Sequence, residues 1–170
     1  MNDGEWIRMT DDVLVFWKRT WPSNMYTSPF TADGNTFSCA EHYFMWSKAK
    51  RFGDTEIADQ ILQSDDPAKM KRLGRRVANY DDDVWAKERM EVMMEANRLK
   101  YAQNPDLARR LLATGDRAIA EASPVDTIWG IGLSPKDPQA LDQRNWTRGQ
   151  NLLGQVLTQI RGELRSQGSD

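Results

Sequence analysis

The sequence contains few of the residues that build metal centres and disulfide frameworks. Its 170 residues include one cysteine, Cys39, and one histidine, His42. A single cysteine excludes an internal disulfide network and a cysteine-rich zinc site, and a single histidine excludes zinc sites built on several histidines. We therefore expect no metal site. His42 itself is expected to be half-buried or on the surface rather than a catalytic base.

The chain also lacks an excess of positive charge and a long hydrophobic run. Lys and Arg number 23 against 25 Asp and Glu, which gives a net charge of −2. This balance provides no overall attraction to nucleic acid, so any contact with nucleic acid would be local. Because no apolar stretch near the N-terminus suggests a signal peptide or a membrane span, we expect a cytoplasmic protein without membrane contact.

Hydrophobic periodicity predicts a mixed but mainly helical protein. The length suits one domain, residues 1–170, with a core from about 13 to 164. The first 40 residues are β and loop, and most of the later patterns are helical. We expect an α+β fold, predominantly α-helical, with a single compact domain, a few short strands and about six helices.

The predicted elements have approximate bounds. Strands are expected at 13–17, near 36–38 and at 117–123, and the segment 126–134 is either a strand or a strand-like loop. The last five residues look like a frayed tail. The predicted helices cover 40–52, 55–63, 67–77, 82–103 and 105–114, and a last one begins near 147–150.

The first predicted helix carries a possible acid and amine pair. Glu41 and Lys48 are two helical turns apart, so both project from one face, with Cα atoms roughly 10 Å apart. A lysine that leans toward the helix N-terminus can close much of that gap. Each residue also has an ordinary explanation: Ser38 to Glu41 fits a capping box, and Lys48 can carry its charge into water.

Three other segments combine polar groups with glycine or aromatic residues: WPSNMY at 21–26, DTIWGIG at 126–132 and NWTRGQNLLG at 145–154. Gly130 and Gly132 let the backbone approach a ligand or adopt positive φ, and Trp129 offers a stacking surface. Asp126 precedes this turn, and its ordinary role is that of a turn cap. Each of the seven tryptophans, taken alone, is better explained by core burial.

Several motifs agree in order and spacing with one known family. They are EHYF-x3-KA-x2-F, then TG-x5-EA-x3-D-x2-WG-x-G, then W-x-x-GQN-x-LG and a closing helical I-R-x-x-L. From about residue 13 to residue 164 the chain resembles the NADAR, or YbiA-like, family of N-glycosidases. The resemblance favours a catalytic role for Glu41 and Lys48, which helical spacing alone does not establish.

The resemblance implies hydrolysis of a ribosyl C1–N bond without a cofactor. The implied substrate is an ADP-ribosyl or phosphoribosyl compound, either ADP-ribosylated guanine in nucleic acid or a phosphoribosylamino-pyrimidine of riboflavin biosynthesis. Lys48 would attack C1 as an amine, with its pKa lowered by burial among Phe44, Met45 and Phe52. Glu41 would act as acid and base, and Asp126 would hold ribose hydroxyls or steady a cationic C1. Direct hydrolysis by carboxylates alone is the competing mechanism.

The same resemblance implies a set of binding residues. They are expected to hold phosphate or ribose oxygens, to flank the base, or to lie at the start of the last helix where an anion is favoured. The set is Ser23, Asn24, Trp85, Arg89, Trp129, Gly130, Gly132, Gly149 and Asn151. Two other functions remain open at this point: a module that binds ADP-ribose or NAD without turnover, and an antitoxin-like interaction protein.

Overall fold

A computed structural model of the chain describes residues 3–168. These residues form a predominantly helical α+β fold with six α-helices and five short β-strands. They divide into two compact units. The terminal unit comprises residues 3–26 and 105–168, and the central unit comprises residues 27–104. Within the described range no helix is both long and apolar enough to cross a membrane.

A three-stranded sheet forms the core of the terminal unit. Its strands are β1 (Ile7–Met9), β2 (Val13–Phe16) and β5 (Ala118–Glu121). β2 is the middle strand, antiparallel to β1 and parallel to β5. All four residues of β2 are buried, which explains why its sequence is continuously apolar instead of alternating.

Two helices complete the terminal unit. α5 (Pro105–Ala113) packs against α6 (Leu152–Gln167), and α6 packs against β5. Arg161, a buried residue of α6, binds the segment between α5 and β5, since its Nη1 donates to Thr114 Oγ1 at 2.8 Å and to the carbonyl of Arg117 at 2.9 Å.

The central unit joins a β-hairpin to four helices. β3 (Phe30–Ala32) and β4 (Asn35–Phe37) pair antiparallel. Their two-residue turn, Asp33-Gly34, has positive φ at both positions, as a type I′ turn requires. The helices are α1 (Ala40–Arg51), α2 (Thr55–Leu62), α3 (Pro67–Gly74) and α4 (Asp82–Gln103), and α1 packs against the other three.

Aspartate caps explain why most of these helices begin where the sequence predicts. Asp54, Asp66 and Asp81 each accept a backbone N–H from the first turn of α2, α3 and α4. The predicted α4 has the observed bounds, and the predicted α1 and α2 agree within one residue at each end.

Four sequence predictions about the elements need correction. α3 ends at Gly74 rather than 77, and α6 begins at Leu152 rather than near 147–150. Residues 126–134 form bends and irregular loop, so the strand alternative is wrong. The predicted frayed tail overlaps α6 at 166–167, and its last two residues lie outside the described range.

Candidate active site

The start of α1 differs from the predicted capping box. Its N-cap is Cys39, which makes no side-chain cap hydrogen bond. The backbone N–H of Ser38 instead donates to Nδ1 of His42 at 3.1 Å, and the Ser38 hydroxyl lies 3.2 Å from the same nitrogen. The capping-box interpretation, in which Ser38 is the N-cap and pairs with the Glu41 side chain, is therefore wrong. That side chain is 5% exposed.

His42 is more buried than the sequence predicts. It is 3% exposed, so the expectation of a half-buried or surface histidine is wrong. Burial lowers the pKa of His42 below its ordinary value, which favours the neutral ring. Because Nδ1 accepts the Ser38 N–H, the proton of the neutral ring belongs on Nε2. The interaction orders the chain before α1.

Lys48 lies at a half-buried position near the other end of α1. Burial lowers the pKa of Lys48, whereas the charges of Glu41 and Asp82 raise it and that of Arg75 lowers it. The direction agrees with the sequence-based expectation. Glu41 and Lys48 both belong to α1, and the charge of Glu41 is the largest influence that raises the Lys48 pKa.

Aromatic rings line the region around Lys48. Its Nζ lies 4.4 Å from the centroid of the Tyr80 ring. The rings of Phe52 and Tyr80 meet edge to face at 5.3 Å, and Phe52 lies 6.2 Å from Trp85. Phe44 contacts Trp85 at 5.2 Å. We call Phe44, Phe52, Tyr80 and Trp85 the aromatic wall.

Trp85 and Arg89 lie about one helical turn apart on α4. Trp85 is 4% exposed, so its ring forms part of the aromatic wall and presents little surface for stacking on a base. Arg89 has a buried Nε that finds no hydrogen-bond partner among residues 3–168. A buried guanidinium N–H of this kind is a candidate donor to a substrate anion.

Sequence reasoning missed Tyr80, Asp82 and Arg75. The Tyr80 hydroxyl donates to Asp82 Oδ1 at 2.6 Å. Burial and this aspartate raise the pKa of Tyr80 to about 12, while the charge of Arg89 opposes the change. The available signal was local: Tyr80 precedes the N-cap Asp81 at the position where a hydrophobic staple is expected.

The terminal unit holds the other predicted residues. Asp126 Oδ1 accepts the backbone N–H groups of Ile128 and Trp129 at 2.9 and 2.8 Å. This is the turn-capping role that the sequence also allowed, and Trp129 lies half-buried on the turn that Asp126 closes. Ser23 and Asn24 are buried in a separate turn, where Ser23 Oγ accepts the Met25 N–H.

The glycines of this unit allow close backbone packing. A Cβ at Gly149 would overlap the carbonyl of Gly130, and a Cβ at Gly130 would lie 2.8 Å from the carbonyls of Glu121 and Asp126. Gly132 has φ of +73°, in the left-handed region. These positions need glycine for the path of the chain, whether or not a ligand approaches them.

The start of α6 is occupied by protein groups. Asn151, its N-cap, has φ of +51°, and its side chain donates to the carbonyl of Ile119 and accepts the Glu121 N–H. The backbone N–H groups of 151, 152 and 153 donate to the carbonyls of 130, 128 and 129. These three N–H groups are therefore not available to the anion that the sequence predicts at this helix start.

Among residues 3–168 no group of three or more His, Cys, Asp or Glu side chains is arranged to hold a metal ion.

Comparison with known proteins identifies the family. The NADAR domain model matches residues 15–165. The chain belongs to the NADAR family. It is 47% identical over 124 residues to N-glycosidase R617 of Acanthamoeba polyphaga mimivirus, a match that covers 73% of this chain and 72% of that protein. The match confirms the family that the sequence motifs suggested.

Two further proteins are similar to this chain. The NMR structure of the Escherichia coli protein YbiA superposes with a TM-score of 0.76 at 26% identity, over 99% of this chain and 94% of that one. The riboflavin biosynthesis protein VVA0006 of Vibrio vulnificus is 33% identical over 84% of this chain, which spans 35% of that protein. Relatives that are 47% and 31% identical to this chain are named N-glycosidases. The chain is therefore a hydrolase of the N-glycosidase type.

Proposed function

We propose that this NADAR protein hydrolyses the bond between ribose C1 and an exocyclic amine. Its substrate is either an ADP-ribosylated guanine or a phosphoribosylamino-pyrimidine. The second class is supported by the name of the Vibrio vulnificus relative. Both classes share a C1–N aminal, which opens to an imine at C1.

One observation carries this proposal. Glu41 is buried, Lys48 is half-buried against the ring of Tyr80, and the charge of Glu41 acts on the pKa of Lys48. An amine must lose its proton before it attacks carbon, and burial that lowers the Lys48 pKa makes this easier near neutral pH. A buried carboxyl group nearby supplies and removes protons during the reaction.

The proposed reaction proceeds through a covalent intermediate on Lys48. The neutral amine adds to C1 of the ring-opened imine and forms a new C–N bond. The bond from C1 to the leaving base then breaks, and Glu41 protonates the departing amine. This leaves a C1 imine on Lys48. Glu41 next removes a proton from water, and the resulting hydroxide adds to C1. The C1–Nζ bond then breaks as Glu41 gives a proton to the lysine nitrogen and takes one from the new C1 hydroxyl, which releases the sugar as its aldehyde and leaves a neutral lysine and a protonated Glu41.

Arg89 supports a phosphorylated substrate. Its buried Nε is without a hydrogen-bond partner in the described part of the chain, and Arg75 adds a further positive charge in the same unit. A phosphate oxygen would satisfy the guanidinium N–H with a charge-assisted hydrogen bond. We therefore assign Arg89 to a substrate phosphate.

We also propose roles for the predicted residues of the terminal unit. Asp126 would hold ribose hydroxyls with its second carboxylate oxygen, since Oδ1 is already engaged by the turn. Trp129 would contact the base, and Ser23 and Asn24 would contact ribose or phosphate oxygens. Gly130, Gly132, Gly149 and Asn151 would act by holding the path of the chain rather than by direct contact.

The test is release of the base from each substrate class. We expect the wild type to release guanine from ADP-ribosylated DNA or the pyrimidine from the phosphoribosylamino compound, measured by chromatography. Lys48→Ala should fall to background, and Glu41→Gln should lose about a hundredfold or more. Lys50→Ala, an exposed lysine on the same helix, is the matched control and should keep full activity.

No release from either substrate would overturn the proposal. Binding of ADP-ribose without turnover, measured by calorimetry, would then identify the protein as a binding module.

A further inference from the structure

Tyr80 contacts Lys48. Neither the family motifs nor the proposed reaction gives this contact a function. The lysine Nζ lies 4.4 Å from the centroid of the ring, well within the range of a cation–π interaction. Tyr80 is also one of the few large hydrophobic residues that are exposed, at 41%. Burial alone therefore does not explain its position.

The ring of Tyr80 is held from two sides. Its hydroxyl donates to Asp82 Oδ1 at 2.6 Å, and the ring of Phe52 meets it edge to face at 5.3 Å. The preceding residue, Asn79, has φ of +57°, and this left-handed turn leads into the N-cap Asp81. The backbone and the hydrogen bond together fix the direction in which the ring faces.

Charged groups from three parts of the central unit influence the pKa of Lys48. Glu41 comes from α1, Arg75 follows α3, and Asp82 belongs to the first turn of α4. The charge of Arg89, which is also on α4, lowers the pKa of Tyr80. The two carboxylates and the ring face favour the protonated amine, whereas burial and Arg75 oppose it.

We propose that Tyr80 is a positioning residue for Lys48: its ring face holds the lysine amine at the aromatic wall, and Asp82 fixes the ring by accepting the phenol hydrogen bond. This inference rests on the proposed function of Lys48 as the reacting amine. Burial and Asp82 raise the pKa of Tyr80 to about 12, so near neutral pH the phenol keeps its proton and can donate to Asp82.

Before substrate binds, the amine of Lys48 therefore has a defined position. A lysine side chain has four rotatable bonds, and holding its end on one ring face removes much of that freedom before the substrate arrives. The amine leaves the ring face when it loses its proton, because the attraction is to the cation. The same ring then remains as an apolar wall beside C1.

The test reverses the charge of the ring face and keeps the shape of the ring nearly unchanged. Tyr80→Phe is compared with the protein carrying pentafluorophenylalanine at position 80, in which fluorine makes the ring face positive. Both proteins are labelled with acetic anhydride across a pH series, and the Lys48 peptide is quantified by mass spectrometry. Exposed Lys87 in the same protein is the internal reference.

We expect fluorination to raise the reactive, neutral fraction of Lys48 about two- to fivefold at a pH below its midpoint, with no change at Lys87. Equal Lys48 profiles in the two ring variants would overturn the inference. Labelling needs no turnover, so this result stands apart from the proposed function: an inactive protein can still show the ring effect, and an active one can lack it.

A measurement on the unaltered protein covers the case in which a variant fails to fold. The ring current of Tyr80 should shift the ε-methylene protons of Lys48 upfield of those of Lys87 in the NMR spectrum. Lys48 protons at the ordinary lysine position would contradict the contact and overturn the inference.

Discussion

Gly154 of α6 packs its backbone directly against the carbonyl oxygen of Ile119 in β5. A Cβ at position 154 would lie closer to that oxygen than the 3.0 Å limit that real Cβ atoms observe. The contact places the helix against the sheet of the terminal unit. The absence of a side chain at this position is therefore a requirement of the packing.

Gly154→Ala should destabilise the protein by more than about 2 kcal/mol. The new Cβ would meet the backbone oxygen of Ile119, which cannot move aside as the end of a flexible side chain can. Urea denaturation followed by circular dichroism measures the change.

Gly162→Ala is the matched control for this substitution on the same helix. Nothing lies within 4 Å of a Cβ at Gly162, and alanine favours helix over glycine, so stability should rise by about 0.5–1 kcal/mol. Equal effects of the two substitutions would show that Gly154 does not set the helix position.

Asn151 should contribute to stability through both its side chain and its backbone. Asn151→Ala loses the hydrogen bonds to Ile119 and Glu121 and places alanine at positive φ, which together should cost about 2–3 kcal/mol. Asn151→Gly loses the same hydrogen bonds without the backbone strain. It should be more stable than the alanine variant by about 1 kcal/mol in thermal or urea unfolding, and an alanine variant as stable as wild type would refute this account.

Lys100 should make stability depend on pH. The residue is completely buried, and burial lowers its pKa from 10.5 to about 7. Between these values the unfolded chain binds a proton that the folded chain does not, so stability should rise with pH from about 7 upward, by roughly 1 kcal/mol per pH unit. Urea unfolding of wild type and Lys100→Met between pH 7 and 8.5 isolates the effect. A difference between the two proteins that stays constant with pH would contradict it.

Arg89 should affect the substrate only when that substrate carries phosphate. Arg89→Met is expected to raise KM about tenfold or more for a phosphorylated substrate, because a charge-assisted hydrogen bond is lost. Arg98→Met, on the same helix, is the control and should leave KM unchanged. With a dephosphorylated substrate the Arg89 variant and wild type should have equal KM, and a persistent difference would assign the residue another role.

The helices were largely predictable from sequence because their start signals are local. Asp54, Asp66 and Asp81 cap helices within three residues of themselves, and the apolar stripes that follow are periodic. The end of α3 and the start of α6 were predicted less well. At the start of α6 the backbone N–H groups of Leu152 and Leu153 pair with carbonyls more than twenty residues earlier, which a local pattern does not reveal.

The candidate site was predictable only where one helix carries it. Glu41 and Lys48 both lie on α1, as the sequence predicts, and their catalytic roles stay a prediction. Tyr80 lies 32 positions beyond Lys48 in the sequence, and their contact depends on how α1 packs against α3 and α4. The burial of His42 was missed for a similar reason, because its ring packs edge to face on Phe37 of the hairpin.

Trapping of the covalent intermediate tests the central claim most directly. The protein is mixed with each substrate in the presence of borohydride, and intact mass is followed by peptide mapping. We predict a stable adduct of the ribosyl fragment on Lys48, absent from Lys48→Ala and present in Lys50→Ala. Base release with no adduct in the wild type, or an adduct that persists in Lys48→Ala, would contradict the role of Lys48 as the reacting amine.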